Sequence, residues 1–207
     1  KSDLKKFKNI KNCKVFLGDV KNKNIIKKIL KQSNLDKKAI SGLVNNAGER
    51  QRIKFDKINK KKLTSLFDTN FFSIFQYMQI YSKYLKQKKI SGSIVNIGSI
   101  VGNNGFSELS GYASTKTALI GLTKSFAVEM AKNNIRANLV SPGFIKTSYF
   151  KKFRKKSKLY NWTLSRIPQK RWGRPEEVTN LICFLLSDLS TYINGTNINV
   201  DGGWTGS

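Results

Sequence analysis

Tyr112 and Lys116 stand four residues apart in a chain of 207 residues, a spacing that sets both side chains on one face of a helix. A phenol ordinarily titrates near pH ~10, and a positive charge held within about 4 to 6 Å favours its ionised form. Such a tyrosine can donate a proton to a carbonyl oxygen as hydride arrives from a nicotinamide, or remove one in the reverse direction. Ser99, thirteen positions earlier, would hydrogen-bond the same oxygen and orient the substrate. Lys116 would serve twice, because its ammonium can also bind the nicotinamide ribose.

These groups need elements to hold them. Short β-branched runs alternate with amphipathic stretches, the pattern of an α/β protein built on a parallel sheet. Strands are expected at 14–17, 41–45, 93–97, 138–140 and 197–200, and helices around 25–30, 59–88, 109–132 and 175–186. The last of these opens with Pro175, Glu176 and Glu177, a proline and acids in the first turn. Residues 151–170 are basic and aromatic without a clean period, and read as a mobile helical insertion over the site. Small residues follow the strands: Asn45, Asn46, Ala47 and Gly48, then Gly98 and Ser99, then Pro142 and Gly143. An open α/β sheet places its ligand crevice at the carboxyl ends of its strands, and small residues there let a flat ligand approach the backbone.

Composition removes other chemistries. The chain has no histidine, which excludes Ser-His-Asp and Cys-His nucleophilic mechanisms and HExxH metalloproteases. Cys13 and Cys183 lie far apart in apolar surroundings, so we expect buried free thiols and no metal site. The net charge of +27 invites a nucleic-acid reading. The basic residues are mostly lysines that scatter over helix faces without interleaved aromatics, the pattern of compositional drift toward AT-rich codons. We therefore expect neither nucleic acid nor membrane as a partner, although an acidic partner such as an acyl carrier protein would be steered toward the lysines. No apolar run approaches the roughly 20 residues that span a bilayer, and the charged N-terminus lacks a secretory signal; the expected compartment is the cytoplasm. The length fits a single domain over 1–207.

The motifs, in order, resemble those of the short-chain dehydrogenase/reductase family, and among its members the 3-oxoacyl-(acyl-carrier-protein) reductases. Tyr112 to Lys116 is similar to the family's YxxxK signature, and Asn45 to Gly48 to its NNAG motif. Pro142, Gly143, Ile145 and Thr147 match the segment that clasps the nicotinamide. Asn70 matches an asparagine that holds a water in a proton relay to the lysine. Arg174 to Val178 and Asp201 to Gly203 match later landmarks. The resemblance implies a doubly wound, Rossmann-like three-layer fold and NADP or NAD as cofactor. It implies a catalytic set of Asn70, Ser99, Tyr112 and Lys116, with substrate at Ser99 and Tyr112. Cofactor contacts would come from Asp19, Val20, Asn45, Ala47, Gly48, Tyr112, Lys116, Pro142, Gly143, Ile145 and Thr147. It further implies a homotetramer or homodimer packed through 109–132 and 176–186, and a carbonyl substrate, free or bound to acyl carrier protein, of the kind used in fatty acid biosynthesis.

The family pattern begins with a strand, a glycine-rich loop, a helix and a second strand, and no counterpart precedes Cys13. That βαβ unit would lay the pyrophosphate on a helix N-terminus and choose between the two cofactors. In the strand order 3-2-1-4-5-6 the absent strands fall between 14–17 and 41–45, which leaves the former without a neighbour. We expect an N-terminally truncated stretch of a longer enzyme. The competing expectation is a non-catalytic binding or scaffold protein that has lost its phosphate loop.

Overall fold

β-Branched and aliphatic residues over Gly42–Asn45 (β1), Gly92–Ile97 (β2), Ile135–Pro142 (β3) and Asn197–Val200 (β4) pair side by side, all parallel, in the order β1-β2-β3-β4. The computed structural model describes residues 10–148 and 150–206; the first nine residues of the charged N-terminal stretch lie outside that range. Successive strand residues point to opposite faces, and both faces are covered. Ile94, Ala137 and Leu139 pack against α1 (Asn24–Leu35), α3 (Ser73–Lys88) and α4 (Ser110–Met130), around Leu30, Met78, Tyr81 and Leu119. Val95 and Val140 face α7 (Pro175–Leu186) through Val178 and Leu185. Two helix layers thus enclose one sheet, the expected Rossmann-like α/β fold. A third apolar cluster, Ile100, Phe153, Ile167, Trp172 and Trp204, sits beyond the strand ends under α5 (Phe150–Arg154) and α6 (Ser157–Arg166).

Several elements depart from expectation. Residues 14–17 form no strand, and β1 has a paired neighbour only in β2 among the described residues. A parallel strand persists only where a neighbour completes its ladder; without one, Val15 and Leu17 are left 46% and 70% exposed. β3 runs over eight residues where only 138–140 are expected. Polar Arg136 lies before the expected stretch and Asn138 opens it, and both tie to the chain before β4: the guanidinium donates to the carbonyls of Ile193 and Ser187, and the Asn138 amide donates to Ile193. The long helix over 59–88 is two helices, α2 (Lys60–Phe67) and α3, joined by a π-helical turn at Asp68–Phe72. Residues 151–170 are mostly ordered as α5 and α6.

The cysteines are also corrected: both are exposed free thiols. Cys183 lies two residues from the buried Leu185 on α7, a rotation of about 200° that turns it outward. The start of α7 behaves as its sequence suggests. The Glu177 carboxylate accepts from the Arg174 backbone N–H and from both terminal nitrogens of Arg171, at 2.7 to 2.8 Å. The Arg171 hydrogen bonds, then the Arg174 N–H, hold it down to about 2.

Candidate active site

β2 delivers Ser99 two residues past its end. There Ser99 caps a short 3-10 turn, Ile100–Gly102, its Oγ accepting from the Val101 N–H at 3.2 Å. Gly102 closes that turn against the backbone of α4. A Cβ on it would lie 3.0 Å from the carbonyl carbon of Lys116, and its carbonyl accepts from the Thr117 hydroxyl at 2.8 Å. Only a residue without a side chain fits such an approach. The turn is thereby locked beside the helix that carries Tyr112 and Lys116, where the Ser99 hydroxyl favours the ionised form of the Tyr112 phenol.

Lys116 is 5% exposed. Its Nζ donates to the Ile97 carbonyl at 2.7 Å and lies 5.7 Å from the centre of the Tyr112 ring. Burial pushes its amine down to about 8. The phenol of Tyr112 is raised above the ordinary tyrosine value by burial, and the influences opposing that rise are the Ser99 hydrogen bond and the positive charge of Arg50. This differs from the expected arrangement, in which the Lys116 ammonium favours the phenolate. The amine is instead aimed at a strand carbonyl and loses charge where a surface lysine would keep it.

Asn70 enters the core from the π-helical turn, a distortion that recurs at functional sites. It is fully buried. Its Oδ1 accepts from the Glu49 N–H at 2.8 Å, and its Nδ2 donates to the Glu49 carbonyl at 2.8 Å and to the Thr115 hydroxyl at 3.1 Å. Both amide hydrogens are therefore spent on protein, so the side chain fixes the loop after β1 and anchors it to α4. Gly48 lies beside this knot: a Cβ there would sit 3.3 Å from Asn70 Oδ1 and 3.7 Å from Lys116 Nζ. Ser99, Tyr112, Lys116, Asn70 and Gly48 are thus brought together.

The remaining expected positions divide. Ala47 and Gly48 are exposed at the end of β1, open for a flat group to lie on. Asn45 spends its amide inside the protein, donating to Asn96 Oδ1 at 2.8 Å, while Asn96 donates in turn to Thr123. Pro142 ends β3, and Gly143 is required by packing: a Cβ would come within 2.9 Å of the Asp201 Cα. Ile145 bridges to Gly173, and the Thr147 N–H donates to Ile145. Asp19 and Val20 lie in the turn before α1. There the Asp19 carboxylate accepts from the Lys21 N–H at 2.9 Å, which holds it below the usual range, and no hydrogen bond or ion pair ties it to the Tyr112 cluster. Sequence reasoning overlooked Thr115 and Arg50. Thr115 also donates back to the Tyr112 carbonyl, an ordinary habit of a mid-helix threonine, and nothing in the spacing of Arg50 marks it.

The residues present suit a nicotinamide dinucleotide. The Lys116 ammonium has donors beyond the one given to Ile97, and the exposed Ala47 and Gly48 at the end of β1 leave backbone open beside it. The family model described as enoyl-(acyl carrier protein) reductase matches residues 1–205. The chain belongs to the short-chain dehydrogenase/reductase family. It is 40% identical, over 79% of its length, to a 3-oxoacyl-(acyl-carrier-protein) reductase FabG of Thermotoga maritima, and that stretch spans 65% of the Thermotoga protein, just under two thirds. A solved 4-hydroxyisoleucine dehydrogenase complexed with NADH superposes with a TM-score of 0.91 at 32% identity, over 99% of this chain and 84% of that one. A gluconate 5-dehydrogenase from Burkholderia cenocepacia, complexed with NADP and tartrate, gives 0.85 at 28% identity, over 92% and 74%. No helix among the described residues is long and apolar enough to cross a membrane.

Proposed function

We propose that the protein carrying this chain is an NAD(P)-dependent oxidoreductase that interconverts a carbonyl and an alcohol, with Tyr112 as the acid/base. The observation that carries this reading is the buried Lys116, whose Nζ lies 5.7 Å from the centre of the Tyr112 ring and beside Gly48 and Asn70, with Ser99 on a turn locked against the same helix. When bound, the nicotinamide supplies or accepts the hydride. In the reductive direction Tyr112 gives its phenolic proton to the substrate oxygen while Ser99 hydrogen-bonds that oxygen and holds it in place. Burial keeps the phenol protonated at neutral pH, as a donor must be. Lys116 holds a ribose hydroxyl and, with an amine near pH 8, can return a proton to Tyr112. Asn70 keeps the 48–50 loop pressed against α4. Asp19, Val20, Ala47, Gly48, Pro142, Gly143, Ile145 and Thr147 would line the cofactor.

Two substrate classes divide the relatives. The FabG relative favours a 3-oxoacyl thioester on an acyl carrier protein, which a chain of net charge +27 would attract. The gluconate 5-dehydrogenase favours a sugar acid, and the positive charge of Arg50, which favours the ionised form of the Tyr112 phenol, supports that second reading. A cytoplasmic homotetramer or homodimer fits the exposed Val128 on α4 and the partly exposed Phe184 on α7; light scattering after gel filtration would measure it.

Tyr112→Phe tests the central reading. With NADPH or NADH and a carbonyl substrate, turnover should fall by about 10²- to 10⁴-fold; turnover equal to wild type would exclude Tyr112 as the proton donor. Calorimetry with NADP and NAD separates enzyme from scaffold, since a scaffold without a phosphate loop binds neither at micromolar concentration.

A further inference from the structure

We infer that Asn104 is a site of spontaneous covalent modification, losing its side-chain amide to become an aspartyl or isoaspartyl residue in the loop that joins the Ser99 turn to α4. The inference is independent of the reaction assigned to Tyr112.

Asparagine is among the chemically labile residues, and the sequence holds two Asn-Gly pairs, Asn104–Gly105 and Asn194–Gly195. In such a pair the glycine backbone nitrogen, its proton taken by hydroxide, attacks the side-chain carbonyl carbon of the asparagine. A new C–N bond forms, the amide nitrogen departs as ammonia, and the five-membered imide that results takes up one water. Opening at one imide carbonyl gives aspartate; opening at the other gives isoaspartate, with an extra carbon in the main chain. Nothing is oxidised or reduced. Glycine favours the attack because no Cβ obstructs it and its backbone turns readily. A pair whose amide groups are held by hydrogen bonds must wait for local opening before the ring can close.

Both asparagines are exposed, so exposure does not separate them. Hydrogen bonding does. Asn194 Oδ1 accepts from the Ala137 N–H at 2.9 Å, its Nδ2 donates to the Ala127 carbonyl at 3.2 Å, and the Gly195 N–H donates to the Ala137 carbonyl at 2.8 Å. The attacked and the attacking groups are thus both tied to the fold. Neither the Asn104 side chain nor the Gly105 N–H makes a hydrogen bond among the described residues, and a Cβ on Gly105 would meet nothing within 4 Å. That freedom is confined to these two residues. On one side the Asn103 amide donates to Asn199 Oδ1 at 2.9 Å and accepts from Asn197 Nδ2 at 3.2 Å, both on β4. On the other the Phe106 ring stacks on Trp204 with centres 5.8 Å apart. The isoaspartyl product lengthens the main chain between those anchors.

The test ages the protein that carries this chain in mildly alkaline buffer. Digestion and mass spectrometry follow the exchange of amide for acid in each Asn-Gly peptide, and enzymatic methylation marks isoaspartate. In the folded protein Asn104 should convert about tenfold faster than Asn194. In guanidinium chloride, where the hydrogen bonds of Asn194 and Gly195 are gone, the two should convert within about twofold of each other. Gly105→Ala, whose added methyl meets no neighbour, should keep the melting temperature and slow conversion at position 104 by about tenfold. Asn104 left intact, equal rates in the folded protein, a difference that persists in guanidinium chloride, or undiminished conversion in Gly105→Ala would overturn the proposal.

Discussion

Lys116→Met should change the pH dependence of stability in a way that exposes the cost of burying this amine. Lys116 is 5% exposed, and its one hydrogen-bond partner among the described residues is the Ile97 carbonyl. Lowering a lysine from 10.5 to about 8 corresponds to a penalty of about 3 kcal/mol on the charged folded state. Below pH 8 that penalty is fully present, because the amine is protonated in both folded and unfolded chains. Between pH 8 and 10.5 the folded chain has released the proton and the unfolded chain still holds it, so wild-type stability rises with pH. Methionine removes the titration but leaves the Ile97 carbonyl without its donor, which costs about 1 to 3 kcal/mol. At pH 7 the variant should therefore be as stable as wild type or more stable by about 1 to 2 kcal/mol. By pH 10.5 it should be the less stable protein, with a swing of about 3 kcal/mol between the two. Urea denaturation of both variants from pH 6.5 to 10.5 measures the difference, and turnover should be lost throughout. A stability difference that stays flat across that range would refute the reasoning.

Further outcomes follow from the same geometry. Asn70→Ala removes three hydrogen bonds from a fully buried side chain and should cost about 2 to 4 kcal/mol, with faster amide exchange at Glu49 by NMR. Gly143→Ala should lower the melting temperature, because its Cβ would come within 2.9 Å of the Asp201 backbone, which has no rotamer to yield; calorimetric scanning checks it. Leu119→Ala, at a fully buried position between α4 and the sheet, should cost about 2 to 5 kcal/mol by denaturant titration while leaving the KM of the properly folded fraction unchanged.

Much of the fold could be read directly because its signals are local. Pro175, Glu176 and Glu177 start a helix through their own φ angle and charges, and α7 begins at Pro175. The four-residue spacing of Tyr112 and Lys116 fixes them on one face of α4 however the rest folds. β4 coincides with its apolar run, and β2 nearly so. Misreadings arose where a distant partner decided the outcome. β3 extends past its apolar residues because Arg136 and Asn138 find carbonyls more than fifty residues away. Residues 14–17 carry a strand-like sequence but have no ladder to join.

The sequence by itself determined the chemistry available: a tyrosine and a lysine one helical turn apart, a serine beyond a strand, small residues at the strand ends, and no histidine to do the work instead. The tertiary structure decided how that chemistry is tuned. Whether a lysine keeps its charge, and which cation a phenol feels, depends on burial and on groups that meet only when the chain closes. The π-helical turn brings Asn70 onto the 48–50 loop, the close approach of Gly102 sets Ser99 against α4, and the charge of Arg50 reaches Tyr112 across 62 positions of sequence. Electrostatic coupling follows distance through space, and one-dimensional spacing carries no record of it beyond a helical turn or a strand pair.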